Sequence, residues 1–155
     1  MSRFKCVVLI ASLLVANGTW AEEMRVTGVG GHALTLQPKS WPAYGVTSTT
    51  ASFTANGKTF PLYGPDTAVE VLSGALSPDR KTLLVSQAMF AMLSDGSGED
   101  TPTSRSHCDV ISMETGCVLL QRDDQFCSGE WVGDRWKPSG GEALKPELET
   151  PSPQA

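Results

Sequence analysis

The chain has 155 residues, with 17 acidic and 12 basic side chains and a formal net charge of -5. This length predicts one domain. An acidic chain without a Lys/Arg cluster argues against nucleic acid as a partner, because phosphate neutralisation supplies most of that affinity, and equally against anionic membrane surfaces. The charge balance favours a soluble protein and a basic partner.

Residues 1–21 have the pattern of a secretory signal peptide. Arg3 and Lys5 precede the apolar run from Cys6 to Ala16, and the segment ends in the small residue Ala21. The apolar run is too short to cross a bilayer, which takes about 20 residues. Cys6 lies at the beginning of the run and not after it, so a lipoprotein anchor does not fit. The sequence therefore predicts cleavage after Ala21, export to the periplasm and no membrane anchor.

Residues 22–137 carry mostly β signals. The alternation over His32–Pro38 is typical of a strand, and Asn56-Gly57 lies between two short strand-like runs. Asn-Gly favours a tight hairpin, because both central residues need positive φ. Pro61 cannot donate to a ladder, which places its strand at an edge. We expect a mostly β fold: a small antiparallel meander, propeller-like or sandwich domain.

The apolar centre of the chain runs from Val69 to Leu93. Ser77–Lys81 reads as a turn, with Leu72–Leu76 and Thr82–Val85 as the flanking strands. Ala88–Leu93 fits either a further strand or one or two helical turns, and periodicity does not choose between them.

A second hairpin is predicted over Cys108–Gln121, with Met113–Gly116 as its four-residue turn. This register sets Val110 opposite Leu119 and Ile111 opposite Val118. A short third hairpin is expected around Gly133-Asp134, and residues 138–155, rich in Pro and Gly, are expected to form a disordered tail.

Three cysteines follow the signal peptide, and export makes a disulfide expected. Cys108 lies at the open end of its hairpin and Cys117 at the turn end, while Cys127 begins the next strand at the open end. The cysteine Cα atoms of a disulfide lie within about 7 Å. The register therefore favours Cys108–Cys127 with Cys117 unpaired, and the other pairings stay open.

The polar stretch between Met92 and Cys108 is predicted to be a long loop. Loops of more than about 12 residues are uncommon in compact domains and are often functional. The hypothesis is a projecting finger that enters a partner's cleft, and the alternative is an insertion without a role. The candidate partner-binding residues are Asp95, Ser97, Glu99, Asp100, Ser104, Arg105 and Ser106.

No set of residues converges on catalysis. The only histidines are His32 and His107, which is too few for a zinc site at close spacing, and no nucleophile elbow or phosphate loop is present. The adjacent acids Glu99-Asp100 and Asp123-Asp124 read as solvated loop residues. We therefore expect neither a metal, nor a cofactor, nor an enzymatic activity.

Three stretches carry a family resemblance: LSPDRKTLLV, the loop ending TSRSH, and CDVISMETGCVLL. Together with the signal peptide and the acidic β composition, residues 76–136 resemble the periplasmic immunity proteins of type VI secretion amidase effectors. In that family a β-rich inhibitor inserts a serine-bearing loop into the Cys–His groove of the effector. By position, the resemblance implies this role for Ser104 and Ser106.

The resemblance implies an exported inhibitor that protects its producer from a cell-wall hydrolase, most simply an amidase. The acidic charge would speed capture of a basic enzyme. The alternative hypothesis is a small periplasmic binding or accessory domain that has no enzyme target.

Overall fold

The computed structural model describes residues 23–146. The predicted signal peptide and the last part of the predicted tail lie outside this range. The described chain is built from strands joined by turns and three short 3-10 helices, which confirms the mostly β antiparallel fold. Within it, no helix has the length and apolar character needed to cross a membrane.

The first sheet has four strands in sequential order, so it is an antiparallel meander. Asn56 and Gly57 adopt φ of 51° and 73° between the third and fourth strands, which confirms the predicted hairpin. Pro61 ends the outermost strand, as its missing N–H requires. The strands are β1 Met24–Thr27, β2 Ala33–Trp41, β3 Val46–Ala55 and β4 Lys58–Pro61.

The second sheet is also a four-stranded meander, and the third is a two-stranded hairpin that turns at Gly133-Asp134 as predicted. The Ala88–Leu93 segment is part of a long strand and not helical. The strands are β5 Thr67–Glu70, β6 Thr82–Ser94, β7 Asp100–Ser112, β8 Val118–Asp123, β9 Gly129–Val132 and β10 Arg135–Pro138.

One cluster of buried apolar side chains joins the three sheets. Phe53 and Leu34 enter it from the first sheet, Leu84 and Ile111 from the second, and Trp136 from the terminal hairpin, all at most 2% exposed. The inner halves of β6 and β7 are buried on both faces, since Leu83–Val85 and Cys108–Ser112 are runs of consecutive buried residues, and burial of apolar side chains is the main favourable contribution to folding. The core therefore fixes the position of β6 and β7 along their inner halves.

Three sequence predictions are corrected by the register. Leu76 forms an isolated bridge with Leu83, whereas the regular strand beside β6 is Thr67–Glu70. A β-bulge between Val110 and Ile111 places Val110 opposite Leu120 and not Leu119, although Ile111 does face Val118. Bulges insert one residue into one strand, and no local sequence signal marked this one.

The third correction concerns the predicted disordered tail, whose residues 138–146 the structure places on the domain. Leu144 exchanges two backbone hydrogen bonds with Trp136, each with an N···O distance of 2.8 Å, and packs against the core. A single apolar residue at a bridging position is enough to hold this segment, which the Pro- and Gly-rich composition concealed.

Candidate functional site

The structure replaces the predicted long loop with a projecting β-hairpin. β6 and β7 pair over thirteen positions, from Thr82↔Ser112 to Ser94↔Asp100. The neighbouring strands are shorter: β5 reaches only Met89, and β8 reaches only His107. Residues 90–104 therefore extend past both neighbours, and we call them the arm.

The arm is a paired strand segment with a short turn at its end. Its five residue pairs run from Phe90↔Ser104 to Ser94↔Asp100, which corresponds to about 17 Å of strand. Asp95–Glu99 form the turn, which we call the tip. The polar sequence predicts a loop and not a strand, because both faces of the distal arm are exposed and apolar and polar residues therefore do not alternate along β7.

The tip is acidic and partly pre-ordered. Gly96 and Gly98 adopt φ of 83° and 93°, which side chains disfavour. The Ser97 N–H donates to Asp95 Oδ1 at 2.8 Å. Hydrogen bonds from the Ser97 side chain and backbone lower the pKa of Asp95, so this carboxylate keeps its charge under mildly acidic conditions. With Glu99 and Asp100, the arm presents three carboxyl groups at its far end.

Aromatic packing fixes the base of the arm to the first sheet. The Phe90 ring stacks on Tyr44, with 5.2 Å between centroids, and lies 5.4 Å from the Trp41 ring. Trp41 is itself buried and donates its Nε1–H to the Pro65 carbonyl oxygen at 2.8 Å. Aromatic pairs of this kind contribute about 0.5–1.5 kcal/mol beyond their buried area. The direction of the arm is thus set by packing and not by the sheet ladder alone.

Large apolar side chains are exposed along the β6 side of the arm and at its base. Met89, Met92 and Leu93 are 46%, 43% and 59% exposed. Met89 and Leu93 lie on one face of the sheet and Met92 on the other, because alternate residues point to opposite faces, so each face of the arm carries exposed apolar side chains. A small notch of about 170 Å³ lies where the base of the arm meets the first sheet, lined by Tyr44, Val46, Phe90, Pro102, Thr103 and Ser104.

The seven predicted site residues fall in two groups rather than one. Asp95, Ser97 and Glu99 lie in the tip, and Asp100 closes the last strand pair. Ser104, Arg105 and Ser106 lie in β7 at the base of the arm, roughly 13 Å or more from the tip by strand rise. Ser104 and Ser106 face one side of the sheet and Arg105 the other, since alternate residues point to opposite faces.

Reading the sequence as a loop missed the apolar half of the arm. The sequence places Met89, Met92 and Leu93 in the apolar centre of the chain, where exposure is not expected. The usable signal is the length of the largely apolar stretch from Leu83 to Leu93, which only Ser86 and Gln87 interrupt. An eleven-residue strand exceeds the common five or six residues, and a strand of that length usually extends beyond its neighbours.

A disulfide lies directly below the arm. Cys108 of β7 is bonded to Cys127 in the 3-10 helix Asp124–Cys127, with 5.3 Å between the Cα atoms, which confirms the predicted pairing. Cys117 is a free, exposed thiol. The bond joins the β7 ladder to the segment that follows β8.

Beside the disulfide, β7 carries a buried carboxyl group with two side-chain donors. The Tyr63 hydroxyl donates to Asp109 Oδ2 at 2.8 Å, and Gln121 Nε2 donates to Oδ1 at 2.9 Å. Burial, and then the Asp109 charge, raise the pKa of Tyr63 far above its ordinary value. Asp109 is 1% exposed, so this network supports the fold and does not face a ligand.

Within residues 23–146, no group of three or more His, Cys, Asp or Glu side chains is placed to hold a metal ion. Comparisons with protein-family models, with curated proteins and with solved structures find no match to this chain.

Proposed function

We propose that this chain is an exported inhibitor that blocks a peptidoglycan-degrading enzyme by inserting the arm into the active-site groove. The observation that carries the proposal is the arm itself: a paired, buttressed hairpin that extends past its sheet neighbours and ends in three carboxyl groups. A rigid projection binds without first being ordered, so little binding energy is lost to conformational entropy.

The enzyme class comes from the sequence resemblance, which points to amidase effectors of type VI secretion. In that setting the chain would be a periplasmic immunity protein. The signal-peptide pattern of residues 1–21 and the Cys108–Cys127 bond both support an exported protein.

The arm changes the expected mode of insertion. Ser97 is the hydroxyl side chain within the tip, whereas Ser104 and Ser106 lie at the base. A groove entered tip first meets Asp95, Ser97 and Glu99 before the two basal serines. The carboxylates suit a groove with basic side chains or a protonated histidine, and complementary charges accelerate the encounter.

The test is protection of cells from a periplasmically targeted amidase of the Cys–His type, taken from the gene neighbouring this one. We expect co-expression of the wild-type protein to prevent lysis. Replacing Asp95–Glu99 by Asn-Gly, the turn that already closes β3 and β4, should abolish protection while the melting temperature stays within a few degrees. Deleting the longer segment 95–105 would be uninformative, because it removes half of β7.

A charge-matched control separates insertion from general electrostatics. Asp95→Asn with Glu99→Gln should slow association and reduce its salt dependence, whereas Asp123→Asn with Asp124→Asn, two exposed acids away from the arm, should not. A tip-replaced protein that still prevents lysis would contradict the insertion mode. Absence of any binding to the amidase would leave the alternative, a periplasmic binding or accessory protein without an enzyme target.

A further inference from the structure

The two long edges of the arm present different backbone groups. In an antiparallel pair, residues alternate between positions bonded to the partner strand and positions whose N–H and C=O point away from it. The Phe90 N–H donates to the Asp66 carbonyl oxygen at 2.9 Å, and the Leu84 N–H donates to that of Ala75 at 3.1 Å. Both acceptors lie on the side away from β7, so the even-numbered residues of β6 point outward.

Because the even-numbered residues of β6 point away from β7, β6 has an open edge in the arm. Beyond Phe90, the next outward positions are Met92 and Ser94, and β5 has already ended its pairing opposite Met89. Within residues 23–146, no strand pairs with β6 along 91–94 on that side. In the described part of the chain, the Met92 and Ser94 N–H groups and the Met92 carbonyl have no strand partner on that side, so they can accept another strand.

The β7 edge of the arm is less able to pair with a further strand than the β6 edge. Pro102 lies opposite Met92, at the outward-pointing position of β7, and proline has no N–H to offer. Proline on an edge strand is a common device against unwanted pairing. The position of Pro102 also supports the assignment of even-numbered residues to the outward positions, because a proline at an inward position would interrupt the β6–β7 ladder.

Side chains and charges around the open edge define its ligand. Met92 and Leu93 are exposed apolar residues within the edge itself. Exposed carboxyl groups lie at both of its ends, with Asp66 at the base and Asp95 and Asp100 at the far end. An added strand would therefore run over an apolar middle with carboxyl groups at both ends, and the Lys39 ammonium on the Pro65 carbonyl oxygen offsets part of the charge at the base.

We propose that the β6 edge of the arm, residues 90–94, accepts an extended basic segment of the partner protein as an added β-strand. The added strand bonds to the Met92 and Ser94 N–H groups and to the Met92 carbonyl, while its own alternate side chains contact Met92 or Leu93. The assignment of this segment to the inhibited enzyme rests on the proposed function. The inference that the edge accepts a strand does not depend on that function.

A second copy of this chain is a poorer occupant. Antiparallel pairing of two β6 edges places the far end of one arm beside the base of the other. Asp95 and Asp100 of one copy would then lie near Asp66 of the other, and like charges at close range are destabilising. Charge complementarity therefore selects a basic strand from a different protein.

The direct test uses the intact mature protein and two synthetic nonapeptides. In the Lys peptide, Lys alternates with Val or Thr, and in the Glu peptide, Glu takes the place of Lys. Amide hydrogen exchange by NMR should show fast exchange at Met92 and Ser94 in the free protein and slow exchange at Ala91 and Leu93. The Lys peptide should protect Met92 and Ser94, and the Glu peptide should bind at least about tenfold more weakly, given the acids at both ends.

Two variants at Met92 separate the contribution of the backbone N–H to peptide binding from that of the side chain. Met92→Pro removes the outward N–H and should lower the affinity for the Lys peptide by about tenfold. Met92→Ala keeps that N–H and should lower this affinity by about threefold or less. Exchange at Ala91 and Leu93 reports whether the arm survives the proline; if it does not, Ser94→Pro repeats the test one outward position further along.

Three results overturn the inference: protection by the Lys peptide at Asp100 and Ser104 instead of Met92 and Ser94, no protection by either peptide, or a concentration-dependent dimer that protects Met92 without peptide. None of these measurements contains the enzyme, so the failure of either proposal is distinguishable. Loss of inhibition on tip replacement with unchanged inhibition by Met92→Pro would keep the proposed function and reject strand addition to the enzyme.

Discussion

Removal of the Cys108–Cys127 disulfide is expected to lower the free energy of unfolding by about 3 kcal/mol. The bond joins positions separated by 19 residues in the sequence. In the chain-entropy treatment, opening a loop of this length restores freedom to the unfolded chain worth roughly 3 kcal/mol at about 25 °C. Alanine is the suitable replacement, because both sulfur-bearing residues are at most 6% exposed and serine would bury a hydroxyl.

The assay is urea unfolding at equilibrium, followed by tryptophan fluorescence, in a Cys117→Ser background that prevents thiol exchange. Trp136 is a suitable reporter, since its buried indole Nε1–H donates to the Phe126 carbonyl oxygen at 2.8 Å, next to Cys127. Cys117→Ser alone should change stability by no more than about 0.5 kcal/mol, because the thiol is exposed. A loss below about 1 kcal/mol in the double alanine variant would refute the loop-closure reasoning.

Three further substitutions test the buried network at Asp109, the base of the arm and the turn between β7 and β8. Tyr63→Phe should cost about 1–3 kcal/mol, because buried Asp109 loses a donor. Because folding raises the pKa of Tyr63, the stability that its neutral phenol contributes is fully present below about pH 10 and is lost above it. Urea unfolding at increasing alkaline pH should therefore show a smaller loss of stability in the variant. Phe90→Ala should cost about 1–2 kcal/mol and speed amide exchange along the arm, as its aromatic packing is lost. Gly116→Ala should lower stability by about 2 kcal/mol or more, because φ is 75° and a Cβ would lie 2.6 Å from the Phe53 ring. Its control, Gly57→Ala, has a similar φ but open space, and should cost only about 1 kcal/mol.

Features determined by a few neighbouring residues were predictable from the sequence. The Asn56-Gly57 hairpin follows from two residues that tolerate positive φ, and the edge position of Pro61 follows from its missing N–H. The disulfide was predictable because an approximate register is enough to place two cysteines at the same end of a meander. The one-residue bulge at Val110 did not disturb that inference, although it shifted the pairs beyond it.

Features that depend on distant pairing were not predictable in the same way. Asp100–Ser106 reads as a loop because its residues are polar and include a proline, yet it forms a strand by pairing with the apolar residues 88–94. Strand preference reflects fit to a neighbour more than intrinsic tendency. The bridge between Leu144 and Trp136 is a second case, since a single residue holds a segment whose composition suggested disorder.

The polar composition that concealed β7 also explains why the arm is asymmetric. A strand exposed on both faces needs protection against unwanted pairing, and β7 has it in Pro102 and in its hydroxyl and charged side chains. Among residues 23–146 nothing protects the distal half of β6 in this way, since Met92 and Leu93 are exposed beside backbone groups that no described strand pairs with. If the arm served only to carry the tip, both edges would be expected to be closed. An open apolar edge opposite a closed polar one is what a hairpin needs if it is to bind one strand on one side.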